Sequence, residues 1–230
     1  MPNANVSNEI KDIILADVVL ILAFSLAFNG GIFNSGSPHF ASSVILILPI
    51  VALGITLSFV LHELMHKFVA QHYGAIAGFR ASYTGLLITF ATGMFGFLFG
   101  IPGATIIYAH SFTKRQNGIV SLAGPLTNFV VFAVFYAILM LVNPYTTSYA
   151  YEAITFVMFI SILLAFFNML PIFPLDGSKV LQWSVPVYVV TMAVIFVLLY
   201  LTKAISIWEI LFLLVIAIMF SFLYRSAIRF

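Results

Sequence analysis

Residues 44–66 read Val-Ile-Leu-Ile-Leu-Pro-Ile-Val-Ala-Leu-Gly-Ile-Thr-Leu-Ser-Phe-Val-Leu-His-Glu-Leu-Met-His. The segment 44–61 is almost wholly apolar, close to the ~20 residues a helix needs to cross a hydrocarbon core. It runs directly into His62, Glu63 and His66. Charged groups inside such a helix cost about 2.5–3.5 kcal/mol each on insertion scales and mark functional sites by default. On a helix, positions i and i+4 share a face, so His62 and His66 offer two imidazole nitrogens to one metal ion. Glu63 is rotated by about 100° from His62, which aims its carboxylate at a water beside the ion. This is the mechanical content of His-Glu-x-x-His: two zinc ligands and a general base. The plainer alternative is a helix leaving the bilayer with its polar face among headgroups.

The rest of the composition agrees with a membrane setting. Of 230 residues, 63% are hydrophobic and 7% are charged, against about 25% charged in a soluble domain. An integral membrane protein follows, with the lipid bilayer as its solvent. A formal net charge of +2 gives no argument for nucleic acid. Cysteine is absent, so any metal must use His, Asp or Glu. Residues 1–10 lack the order of a cleavable signal, so the first apolar segment is expected to stay as a helix.

Outward from the opening stretch, the spacing predicts about six transmembrane helices: 11–28, 42–73, 117–142, 150–169, 184–202 and 207–224. The second is too long for one straight crossing, so it must tilt, kink near Pro49 or Gly54, or extend past the membrane. Asp17, in the first, is expected near the cytoplasmic interface, with its side chain reaching outward. Residues 75–113 differ from the rest. Glycines recur through them and Pro102 adds a break, and such residues punctuate rather than sustain a helix. Residues 86–90 and 104–109 have strand-like content, which predicts short strands or re-entrant hairpins beside a water-filled cavity. The alternative is a glycine-rich helix over 86–101. The fold class expected is therefore an all-α integral membrane protein with a small re-entrant β segment, folded as one domain over 1–230.

Placing the N-terminus in the cytoplasm puts Lys11, Lys67, Arg80, Lys114, Arg115, Lys179, Arg225 and Arg229 on one side and Lys203 alone on the other, a strong positive-inside bias. Both termini and the site then face the cytoplasm of a multi-pass cell-membrane protein. A catalytic zinc commonly takes three protein ligands. Candidates for the third are Asp176, His110, His72, Glu152 and Asp17. His72 lies about 15 Å along the helix from His62, and Glu152 falls toward the outer face. His110, in the irregular segment, stays open. Asp176 is favoured because Pro171 and Pro174 break the chain beside it and let its carboxylate turn inward. Its alternative is a loop Asp capping the following segment.

His62-Glu63-Leu64-Met65-His66 in a membrane helix, then Ala123-Gly124-Pro125, then Asn168-x-x-Pro171-x-x-Pro174-Leu175-Asp176-Gly177, together resemble the site-2 protease family of intramembrane zinc metalloproteases. The resemblance covers about residues 42–180, the expected catalytic core, flanked by helices in 1–41 and 184–230. It implies one Zn2+ held by His62, His66 and Asp176, with Glu63 as catalytic base and Asn168 holding substrate or its oxyanion. It also implies that 78–108 forms the family's re-entrant strands, one of which pairs with substrate. Substrates would be transmembrane proteins, cut within or near their helices after local unwinding, in regulated intramembrane proteolysis. The 143–149 loop is too short for a PDZ insertion, and the chain ends at Phe230 with no room for a CBS pair, so a minimal core is expected. Small residues at 123–125 have a plainer use in close helix packing. Two rivals remain at this stage: a membrane zinc protease that cuts soluble tails, and a multi-pass divalent-metal transporter, which would be expected to show internal repeats.

Overall fold

The computed structural model describes residues 6–98, 100, 102–108, 111–143, 145, 148–202 and 215. Helix α1 spans Val6–Phe28. Helix α2 (Phe40–Ile55) continues through a π-helical turn, Thr56–Val60, into α3 (Leu61–His72). Strand β1 (Ile76–Ala81), α4 (Tyr83–Met94) and β2 (Gly103–Tyr108) follow. The chain then runs through α5 (Lys114–Val142), α6 (Tyr149–Asn168), α7 (Asp176–Trp183) and α8 (Val185–Thr202).

Among the described residues, three helical stretches are long and apolar enough to cross a membrane: Phe40–His72, Lys114–Val142 and Tyr149–Asn168. The stretch expected at 11–28 is helical too, within α1, and that expected at 184–202 is observed one residue later as α8. The sixth expected span, 207–224, lies outside the described residues apart from position 215. The second span stays helical throughout. Its irregularity is the wide turn at Thr56–Val60, directly before the His-Glu-x-x-His turn; such π turns are frequent at functional sites.

Helix α6 lies between two apolar cores. On one side Met158, Ile162 and Phe166 meet Phe132 of α5, Val180 of α7 and Ile195 and Leu199 of α8. On the other, Ile160 joins Leu20 and Phe24 of α1, Val51 and Ile55 of α2, and Phe79 of β1. The outward faces carry large exposed apolar side chains, including Leu46, Val130, Leu141, Val189 and Val197. Exposure on that scale suits hydrocarbon rather than water. The Ser58 hydroxyl, one turn before His62, donates to Ser161 Oγ at 2.7 Å, because the Ser161 hydroxyl is itself donated to the Val157 carbonyl.

The glycine-rich segment forms one antiparallel ribbon, with Ile76 opposite Tyr108 and Ala81 opposite Gly103. The strand expected at 104–109 is thus observed, one residue earlier, as β2. The strand expected at 86–90 is not: those residues lie inside α4. Ser82 caps that helix by accepting from the Gly85 amide at 3.1 Å, and Thr89 donates back to the Gly85 carbonyl. A five-residue apolar run does not by itself distinguish strand from helix, and here the cap decides. The glycine-rich alternative, a helix over 86–101, is met only in its first half, since α4 ends at Met94.

At the centre of the ribbon Phe79 faces Thr105, and both backbone N–H groups point outward. Phe79 N donates to Glu9 Oε1 at 3.2 Å, while Thr105 N donates to Glu63 Oε2 at 3.1 Å. Glu9 is 6% exposed and also receives Lys67 Nζ on both oxygens, at 2.9 and 2.8 Å. One buried carboxylate thus ties α1, α3 and β1 together. Glu9→Leu leaves the Lys67 ammonium without its partner, and removing one member of a buried pair costs about 3–5 kcal/mol. The melting temperature in detergent is expected to fall by several degrees; an unchanged value would show that the pair contributes nothing. Asp17 does not simply reach outward. Its Oδ2 accepts from the Thr56 hydroxyl at 2.7 Å, at the start of the π-helical turn.

Candidate metal centre

Helical spacing places His62 and His66 on one buried face of α3, at 2% and 6% exposure. Their rings meet edge to face with centroids 4.7 Å apart. The Pro-broken stretch after α6 delivers the third group. It carries a cis peptide between Phe173 and Pro174, and Asp176 opens α7 at 8% exposure. Gly177 passes so close to the Met169 carbonyl that no side chain fits between them, which lets the turn fold back on the end of α6. Asp176 does not cap α7: Leu175 holds the cap position without a side-chain hydrogen bond.

Asp176 Oδ2 lies 3.3 Å from His62 Nε2 and 3.0 Å from His66 Nε2. A tetrahedral ion with N and O ligands at ~2.0–2.1 Å separates its donor atoms by about 3.3–3.4 Å. His62, His66 and Asp176 are thus a group able to hold a metal ion. Helix α5 supplies the space. A Cβ on Gly124 would lie 2.5 Å from the Nε2 atoms of both His62 and His66. The small residues at 123–125 therefore do more than let helices approach, because Gly124 keeps the volume in front of both nitrogens clear. Two imidazoles and one carboxylate, with no thiolate, are a donor set that suits zinc.

The atoms behind the donors are also specified. His66 Nδ1 lies 2.7 Å from the Val120 carbonyl of α5. A carbonyl can only accept, so Nδ1 carries the proton and Nε2 presents its lone pair to the centre. His62 Nδ1 lies 3.3 Å from Asn128 Nδ2, and Asn128 is fully buried. Lys179 Nζ stands 3.8 Å from Asp176 Oδ1, the oxygen turned away from the histidines.

Glu63 is held by β2. Its Oε2 accepts from Thr105 N and from Thr105 Oγ1 at 2.9 Å, and the same hydroxyl also lies 3.1 Å from the Glu63 carbonyl. Thr105 is a residue the sequence alone did not single out. The available signal was its place as the polar residue in an apolar strand pattern, on the half-buried face of β2. Of the other candidates, Asn168 donates Nδ2 to the Leu164 carbonyl of its own helix. His72 ends α3 with its ring against Tyr73, and Glu152 sits in the first turn of α6. Asp17 is bonded to Thr56, and His110 lies outside the described residues.

Comparison with known proteins gives a family and a relative. Residues 143–201 match the sequence profile of Peptidase family M50, a stretch that includes Asp176 but not the histidines. The chain is 40% identical over 177 residues to a candidate zinc metalloprotease of Methanocaldococcus jannaschii, an alignment covering 76% of this chain and 84% of that protein. No solved structure matches. With a relative this similar over most of both chains, the protein belongs to peptidase family M50, the site-2 proteases.

Proposed function

We propose that the protein is an intramembrane zinc metalloprotease that hydrolyses peptide bonds within or near transmembrane helices of membrane-protein substrates. The observation that carries this reading is the convergence of His62 Nε2, His66 Nε2 and Asp176 Oδ2 in a buried space flanked by long apolar helices. His62, His66 and Asp176 hold the ion, and Glu63 is the general base. Zinc, when bound, supplies a Lewis acid that polarises a peptide carbonyl and acidifies water. Glu63 takes the proton of the attacking water and returns it to the leaving amine. Thr105 holds Oε2 of that carboxylate, which leaves Oε1 to carry the proton. Asn168 binds substrate once its amide leaves the Leu164 carbonyl. In this reading six helices span the bilayer, with both termini and the centre toward the cytoplasm. Lys67 beside Glu9 and Arg80 beside Asp12 gather basic residues at that end.

A transmembrane substrate shields its peptide bonds with its own helical hydrogen bonds, so it must unwind before attack. The outer edge of β2 offers replacement partners by strand addition. The outward Thr105 N–H there is already bonded to Glu63, so a substrate strand pairs with the outward backbone groups on either side of it, which sets the scissile bond beside the carboxylate.

Two measurements test this reading. Zinc-loaded protein in detergent, incubated with a panel of single-span membrane substrates, should give products whose masses place the cut in or beside the apolar segment. Cuts confined to soluble tails, or zinc transfer across vesicles with no cleavage, would contradict it. Thr105→Val should lower kcat about tenfold with KM little changed, the loss of ~1.4 kcal/mol expected for a hydrogen bond to a charged group. Thr105→Ser should restore most of it; equal rates in all three proteins would remove Thr105 from the mechanism.

A further inference from the structure

We propose that Asn128 is a positioning residue that sets the tautomer and ring orientation of His62 for zinc. The inference rests on the zinc-protease reading above. Asn128 is fully buried on α5, one helical turn beyond Gly124, and its Oδ1 has no hydrogen-bond partner. Its Nδ2 lies 3.3 Å from His62 Nδ1, while His62 Nε2 points at Asp176 Oδ2, also at 3.3 Å.

A coordinating Nε2 must present its lone pair, so the proton of His62 sits on Nδ1. The Asn128 amide is the buried polar group beside Nδ1, and its Oδ1 is an acceptor with no other partner. The amide turned with Oδ1 toward Nδ1–H satisfies both groups and fixes the ring. The Val120 carbonyl does the same for His66.

The test is the zinc dissociation constant, read by competition with a chromophoric chelator in detergent, together with the melting temperature of the metal-free protein. Asn128→Leu keeps the volume and removes both polar atoms; Asn128→Asp keeps an acceptor for Nδ1–H. Partners behind metal-ligating histidines are worth about 10–100-fold in metal affinity. Asn128→Leu should therefore weaken zinc at least tenfold, more than any change in metal-free melting accounts for, while Asn128→Asp stays within threefold of wild type. Wild-type affinity in Asn128→Leu would overturn the proposal. If the Leu variant does not fold, a tenfold loss in Asn128→Asp overturns it and retained affinity supports it. Failure of the wild type to bind zinc would instead remove the underlying zinc-protease reading.

Discussion

Glu63→Gln is expected to keep one zinc per chain and to lose about 10²–10⁴ of the cleavage rate, the range that a positioned general base supplies. The amide is nearly isosteric with the carboxylate, and its oxygen can still accept from the Thr105 N–H and hydroxyl that hold Oε2. The donors proposed for the ion are on His62, His66 and Asp176, a group able to hold a metal, so metal content should not change. Only proton transfer is lost. The check pairs zinc content with initial rates on one membrane substrate. Full activity in this variant would end the general-base assignment, and loss of zinc would mean that Glu63 is itself a ligand.

Gly124→Ala should fail in the opposite way, by losing the metal. The added Cβ would sit 2.5 Å from both Nε2 atoms, well inside van der Waals contact. The atoms it meets are ring nitrogens of two buried imidazoles, one fixed by the Val120 carbonyl, so they have little freedom to retreat. Either the rings turn or α3 and α5 separate, and both scatter the donor set. Zinc should fall from stoichiometric to trace, with cleavage following it, and added zinc should not rescue. A Gly124→Ala protein that binds zinc normally would show that the space in front of the histidines is not where the ion sits. Together the two variants separate chemistry from metal binding: one keeps the ion and stops the reaction, the other loses both.

How much of this was legible in the chain depends on the range of the interaction. The His62–His66 pair and its long apolar helix are local facts: a four-residue spacing and a hydropathy run. They survive folding unchanged. Asp176 could be favoured because two prolines mark where α6 must stop, although only the fold shows its carboxylate 3.0 and 3.3 Å from the histidines. The strand at 104–109 was legible from its content. The one expected at 86–90 was not, because Ser82 caps a helix there through a contact of only three residues. Thr105 and the free volume at Gly124 depend on pairing across β1 and β2 and on the approach of α5 to α3. Sequence spacing does not encode such contacts. Asp17 was expected to reach outward, but one of its oxygens accepts from the Thr56 hydroxyl of the adjoining helical stretch.

The central claim is that one zinc ion lies between His62, His66 and Asp176. An anomalous difference map at the zinc edge, from crystals of the zinc-loaded protein, tests it most directly. The account predicts a single strong peak about 2.0–2.2 Å from His62 Nε2, His66 Nε2 and an Asp176 oxygen, in front of Gly124. A map without density there, or with the zinc bound by other residues while Asp176 points away, would contradict it.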